Sequence, residues 1–199
     1  MTGRILDVVG AGVMGVVLAP VLAVAAVAVA IDLGRPVMFV QARSGLAGRV
    51  FRMGKLRSMS ERRDVAGALL PDAMRVSPLG RLLRRTRIDE LPGLWHVLVG
   101  DMSLVGPRPL LPATVAAMGP AGQRRGAVRP GLTGWAQVNG NALLSDADKL
   151  ALDLWYVDHA SWRLDVAILL RTLGVIVGGE RINRAEIGRA YAGDHRRGG

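Results

Sequence analysis

Between Val8 and Ile31 the chain carries no charged side chain. As an α-helix this run would reach about 36 Å, against a bilayer hydrocarbon core of roughly 30 Å, so the segment is expected in lipid. A cleaved signal peptide fits less well. The run is too long for an apolar signal core, has one basic residue, Arg4, ahead of it, and meets Asp32 without a clear small-residue cleavage site. Arginines follow densely at 35, 43, 49, 52, 57, 62 and 63, and the positive-inside bias puts the rest of the chain on the cytoplasmic side. Ala19-Pro20 interrupts the run. Proline cannot donate to the carbonyl of Val16 and crowds that turn, so a kink is expected there. A modest kink leaves a single span, whereas a sharp break makes a re-entrant hairpin with both ends cytoplasmic. The residues alone favour the span.

The remaining length suits one small domain: 199 residues in all, without repeats or low-complexity tracts. The formal charge of +10 is nearly all arginine, since Lys55 and Lys149 are the only lysines. Such a balance points to nucleic acid, anionic lipid or phosphorylated substrates. No cysteine is present, which excludes disulfide frameworks, thiolate metal sites and cysteine nucleophiles.

Residues 36–59 read as two short strands around a Gly45/Gly48 turn, with Lys55 and Arg57 on one side at the far end, able to meet one anion. Ser77-Pro78 is a helix start, and the helix should run to about Ile88 with Arg81, Arg84 and Arg85 on one face and Arg87 beside it. Pro92 disfavours helix at Leu91, so a second helix should begin there and stop at Gly100. Asp89 and Glu90 then fall at a helix N-terminus, which favours ionised carboxylates and also attracts phosphate. Two adjacent carboxylates repel each other and phosphate, so arginines or a divalent cation are needed beside them. Gly106-Pro107-Arg108-Pro109 supplies a stiffly held arginine suited to phosphate. Residues 128–140 present Arg129 at a Pro-Gly turn, followed by a short strand with Trp135 and Gln137, Trp135 being expected in the core. Ser145 and Asp148 open a helix whose apolar row ends on Asp158, either paired with a structural arginine or part of a phosphate and metal site. An apolar helix near 162–177 and a solvated tail complete the chain.

These segments, "PVMFVQARSGLAG", "KLRSM", "DELPGLWHVLVGDMSLVGPRP", "RPGLTGWAQVNG" and "LDLWYVDHASWRLDVAILLRT", together resemble the bacterial sugar transferase family, small monotopic phosphoglycosyl transferases, over about residues 3–178. The resemblance implies an α+β, mostly helical fold. It divides the chain into a re-entrant helix-break-helix at 1–34, broken at Ala19-Pro20, a catalytic domain with a short β-hairpin at 35–178, and a polar tail at 179–199. It implies transfer of a hexose phosphate from a UDP-sugar to undecaprenyl phosphate at the cytoplasmic face of the bacterial inner membrane. Asp89 would be the nucleophile and Glu90 its partner, the two holding Mg²⁺. Lys55, Arg57, Arg85, Arg87, Arg108, Arg129 and Asp158 are candidate substrate contacts. Where the family commonly has Ser before the breaking proline this chain has Ala19, and Gly93 and His96 replace the usual Gln and Asn. His96, one helical turn from Pro92, could be read as a base, but a core or interface histidine is the expectation.

Two other readings fit parts of the sequence. A membrane-anchored basic module without catalysis explains the charge and the anchor but leaves the carboxylate pair idle, and the aromatic residues are too few for a nucleic-acid surface. A hydrolase would use the same aspartyl intermediate with water as acceptor. The sequence leaves homo-oligomerisation, the sugar and the glycan pathway open.

Overall fold

The computed structural model describes residues 2–195. Helix α1 (Thr2–Leu33) runs unbroken through Pro20, where the family resemblance implied a break. Proline costs the turn one donor and one steric contact, and the bonds of the flanking apolar turns carry the helix past it. Pro20 and Ala19 both stand exposed. The helix is long and apolar enough to cross a membrane, and little of it is buried. Val16, Val17, Val24 and Val27 are among its exposed side chains.

Both ends of α1 are tied to the rest of the molecule. Near its start Arg4 donates to the carbonyls of Val97 and Leu98, and the Asp7 carboxylate accepts from Ser103 Oγ and the Leu104 amide. Near its end Ala25 and Val29 pack with Leu56 and Leu83, and Arg57 donates to the carbonyls of Leu33 and Gly34. Those are carbonyls a helix C-terminus leaves without intrahelical partners.

Strands β1 (Met38–Ser44) and β2 (Val50–Leu56) form the expected hairpin, antiparallel from Met38↔Leu56 to Ser44↔Val50. Helix α2 (Asp72–Arg75) is a single turn, and α3 (Pro78–Thr86) starts where Ser77 Oγ accepts from the Gly80 amide at 2.9 Å. Then come α4 (Gly93–Val99), β3 (Ser103–Val105), α5 (Pro112–Ala117), α6 (Pro120–Arg125), β4 (Gly131–Thr133) and α7 (Trp135–Val138). Trp135 and Gln137, expected in a strand, lie in the α7 turn because β4 ends at Thr133 and Gly134 redirects the chain. Trp135 is buried, as expected of a core residue.

The long helices α8 (Asp146–His159), α9 (Trp162–Gly178) and α10 (Arg184–His195) close the core. Val97, Met102, Leu152 and Ile168 are fully buried at its centre. The segment after Gly178, expected as a solvated tail, instead folds back: α10 packs against α8, with Ala190 buried and Ile187 against the core. Its small apolar residues were too sparse to announce this docking.

Strands β3 and β4 pair in parallel, Ser103 with Gly131 and Val105 with Thr133. Their junction has no room for side chains. A Cβ on Gly131 would sit 2.0 Å from the Gly106 amide nitrogen, and one on Gly134 would sit 2.1 Å from the Gly106 carbonyl oxygen. The glycines let β4 lie directly against the start of the Gly-Pro-Arg-Pro loop, which fixes where Arg108 begins.

Candidate active site

Helix α3 ends on Arg87, whose backbone is left-handed at φ 57° and ψ 18°. Its amide donates to the Arg84 carbonyl. The chain then makes one 3-10 turn, Ile88–Glu90, before Pro92 leads into α4. The carboxylate pair therefore lies in a tight turn, three and two residues upstream of Pro92, slightly earlier than the helix start expected from the sequence. A left-handed arginine is uncommon, and it turns the chain so that Asp89 is buried to 5% exposure.

The two neighbouring acids have opposite electrostatic fates. Glu90 is gripped by Arg108 Nη2 at 2.5 Å from Oε1 and by Arg87 Nη1 at 3.6 Å from Oε2. Burial pushes its carboxyl up, but the charge and hydrogen bond of Arg108, with Arg87 and Lys55, outweigh burial and hold it below its usual range. Among the described residues Asp89 has no cation within 4 Å and accepts no hydrogen bond. Burial first, and the Glu90 charge second, push its carboxyl up to about 6, against the pull of Lys55, Arg84 and Arg108. Lys55 is itself pushed down, by burial more than the Asp89 charge restores. Asp89 is thus a poorly solvated carboxylate facing cations it does not touch, which favours attack on an electrophile over tight pairing.

Arg108 is held from behind. Its carbonyl accepts from Arg125 Nη2, and Arg125 Nε donates to Asp153 at 2.7 Å in an ion pair buried on both sides. Arg43 Nη1 donates to the Pro109 carbonyl at 3.2 Å, and the Gly131 amide donates to that of Pro107 at 2.9 Å. The stiffness of the loop comes from these captured carbonyls as much as from its prolines.

The result is a cleft of about 730 Å³. One wall is charged: Lys55 from β2, Arg84 and Arg85 from α3, then Arg87, Asp89, Glu90 and Arg108. A second stretch of lining is Val175–Glu180, at and just past the end of α9. Glu180 links the two, lying 3.6 Å from Arg87 Nη2 and accepting from Asn141 Nδ2 at 2.5 Å and the Ala142 amide at 3.2 Å. Asn141, left-handed at φ 45°, and Ala142 also line the cleft.

Of the residues singled out in the sequence, Lys55, Arg85, Arg87, Asp89, Glu90 and Arg108 meet here; three do not. The ladder of β2 stops at Leu56, so Arg57 leaves the strand alternation and caps α1 instead. Arg129 Nε donates to the Gly100 carbonyl at 3.0 Å, at the end of α4. Asp158 pairs with Arg124 at 2.5 Å between α8 and α6, the structural-arginine alternative. His96 packs its ring 5.2 Å from that of Phe51, beside Asp101, as an interface histidine. Sequence reasoning missed Glu180, Asn141 and the Arg125–Asp153 pair. Only Asn141 left a local hint, asparagine after glycine being tolerant of left-handed backbone.

No group of three or more potential metal-ligating acids, histidines or cysteines occurs among the described residues. Asp89 and Glu90 offer two carboxylates at most. That suits Mg²⁺, which is commonly bound by one or two carboxylates together with substrate phosphates.

The family model for bacterial sugar transferases matches residues 1–179, and the chain belongs to that family. It is 47% identical over 156 residues to the uncharacterized sugar transferase EpsL of Bacillus subtilis, covering 78% of this chain and 77% of that protein. It is 42% identical over 181 residues to the UDP-glucose:undecaprenyl-phosphate glucose-1-phosphate transferase of Caulobacter vibrioides, covering 85% of this chain and 67% of the relative. It is 39% identical over 185 residues to a UDP-N-acetylgalactosamine-undecaprenyl-phosphate N-acetylgalactosaminephosphotransferase of Aeromonas hydrophila, covering 88% of this chain but 44% of that protein.

Proposed function

We propose that this protein transfers a sugar phosphate from a UDP-sugar to undecaprenyl phosphate through a covalent intermediate on Asp89. The observation that carries the proposal is the contrast within the pair: Glu90 locked by Arg108 and Arg87, Asp89 buried and unpaired. An acid meant for structure would take the pairing that Glu90 has. The names of the Caulobacter and Aeromonas relatives both give a UDP-sugar donor and undecaprenyl phosphate as acceptor, while the sugar differs between them.

An Asp89 oxygen attacks the sugar-bearing phosphorus, a phosphorus–oxygen bond to that oxygen forms, and the bond to the bridging oxygen breaks with its electron pair leaving on UMP. A phosphate oxygen of undecaprenyl phosphate then attacks the same phosphorus, and the Asp89–phosphorus bond breaks to regenerate the carboxylate. Lys55 and Arg108 face the developing charge from fixed positions. Glu90 holds Arg108 in line. Arg84 and Arg85 supply further positive charge at the mouth. Bound Mg²⁺, held by Asp89 and Glu90 with the diphosphate, would neutralise charge that the arginines leave uncompensated.

A helix tied at Arg4 and Asp7 to the α4–β3 corner, and at Arg57 to the hairpin, has both ends on one globular unit. That geometry supports a monotopic protein in place of the span that the residues alone favoured, and the arginines that follow the helix support placing its domain on the cytoplasmic face of the inner membrane. A re-entrant form would need the helix, unbroken here, to break at Pro20 in lipid.

The test is UMP release by detergent-solubilised protein with Mg²⁺, undecaprenyl phosphate and a panel of UDP-sugars, beside Asp89→Asn. Release that requires the lipid and vanishes in the variant supports the transferase. Release without lipid, accompanied by free sugar phosphate, would make the protein a hydrolase.

A further inference from the structure

The donor has no use for one wall of the catalytic cleft. Val175, Ile176 and Val177 line the cleft together with Arg84, Arg85 and Asp89, and a nucleotide sugar offers nothing apolar of that breadth to cover them. The wall does not end at the cleft. On α9 the side chains of Trp162, Val166, Leu170, Leu173 and Val177 are 57%, 43%, 64%, 62% and 85% exposed. Their spacing of four, four, three and four puts them on one face of the helix. Ile168, on another face of the same helix, is fully buried, and Leu164 and Leu169 pack on the core. The exposed row is therefore not a core face left bare by chance. It is a continuous apolar track about 22 Å long, and it leads into a basic pocket that contains the nucleophile.

We propose that this α9 track receives the isoprenoid tail of the acceptor, so that the lipid's phosphate is delivered into the cleft at Asp89. The inference rests on the transferase reading above and adds the path of the second substrate. Its ground is complementarity to one molecular shape: a long hydrocarbon chain on valine and leucine, ending in an anion that meets Arg84, Arg85 and Lys55. Glu180 lies where track and cleft meet, with its carboxylate on Arg87, Asn141 and Ala142. An arriving phosphate can take over those same donors.

The experiment uses the full chain in detergent with the paired substitutions Val166→Asn and Leu170→Asn. Both positions are exposed, and Leu170 lies about 10 Å along the helix from Val177. Three rates are compared with those of the native protein: exchange of labelled UMP into UDP-sugar without acceptor, transfer to undecaprenyl phosphate, and transfer to a five-carbon isoprenyl phosphate too short to reach the altered positions. A thermal melt confirms folding, and Leu170→Asn alone serves if the pair melts early. The expected result is a KM for undecaprenyl phosphate raised about tenfold, with UMP exchange and the KM of the short acceptor changed less than twofold. Equal KM values for the long acceptor in native and variant protein overturn the proposal. So does an equal loss with both acceptors accompanied by lost vesicle binding, which would make the track a membrane contact only, or a change of oligomeric state, which would make it an interface between copies. If native protein shows no UMP exchange, the transferase reading itself fails, and that outcome is separate from the others.

Discussion

Replacing Asp89 with asparagine should stabilise the ligand-free protein, and the gain should depend on pH. In the folded chain burial and Glu90 hold the Asp89 carboxyl near 6, against 3.8 for a free side chain. Well below pH 3.8 both folded and unfolded chains carry it protonated, and the group is neutral to stability. As pH rises from 4 to 6 the unfolded chain gives up its proton first, so stability falls. Above pH 6 the full penalty of a poorly solvated carboxylate remains. At about 1.4 kcal/mol per pH unit between the two values, the penalty is about 3 kcal/mol at pH 8 and about half of that at pH 5. For a chain of this size each kcal/mol moves Tm by roughly 2–4 °C, so Asp89→Asn should melt roughly 6–12 °C higher at pH 8. The assay is tryptophan fluorescence melting in detergent with chelator present, at pH 5 and pH 8, for native and variant protein. A gain of the same size at both values, or a variant that melts lower at pH 8, would refute the electrostatic reasoning.

Three further outcomes follow from the same geometry. Because only ionised Asp89 can attack, kcat/KM should fall toward acid pH, with a midpoint that moves down as Mg²⁺ is raised because the cation favours the carboxylate, measured as UMP release in a constant-ionic-strength buffer series. Arg125→Met should cost roughly 3–5 kcal/mol by leaving Asp153 buried without its cation; adding Asp153→Leu should recover most of the Tm while KM for the donor stays raised, since the Arg108 carbonyl keeps no clamp. Glu90→Gln should lower kcat on the order of 100-fold with folding intact, because Arg108 loses its charged anchor; steady-state kinetics beside a melt would check both parts.

Much of the local structure was legible because its causes are local. Ser77 with Pro78 and Ser145 with Asp148 each start a helix by satisfying an amide within three residues, and the hairpin follows from alternation and a glycine turn. The acid pair and the Gly-Pro-Arg-Pro loop could be read as one site because each is made by adjacent residues. Sequence gave no warning of bonds made at long range. Asp7 reaches Ser103, Arg4 reaches Val97, and Arg125 reaches Asp153; nothing within a few residues of any of them distinguishes these from solvated charges. The arginines show the limit best. Arg57, Arg108 and Arg129 look alike as basic residues beside turns, yet two serve carbonyls at helix ends and only Arg108 faces the acids. Glu180 was hidden for another reason: it follows a pair of glycines in what composition marks as a tail, and the end of α9, which lines the cleft, carries it to Arg87.

The most direct test of the central claim is to look for the intermediate. Protein incubated with Mg²⁺ and an accepted UDP-sugar, without lipid acceptor, is quenched in acid and examined by intact-mass and peptide mass spectrometry. The account predicts an added sugar phosphate on the peptide bearing Asp89, discharged by undecaprenyl phosphate and absent from Asp89→Asn. Turnover without any adduct, or an adduct that persists in Asp89→Asn, would contradict it.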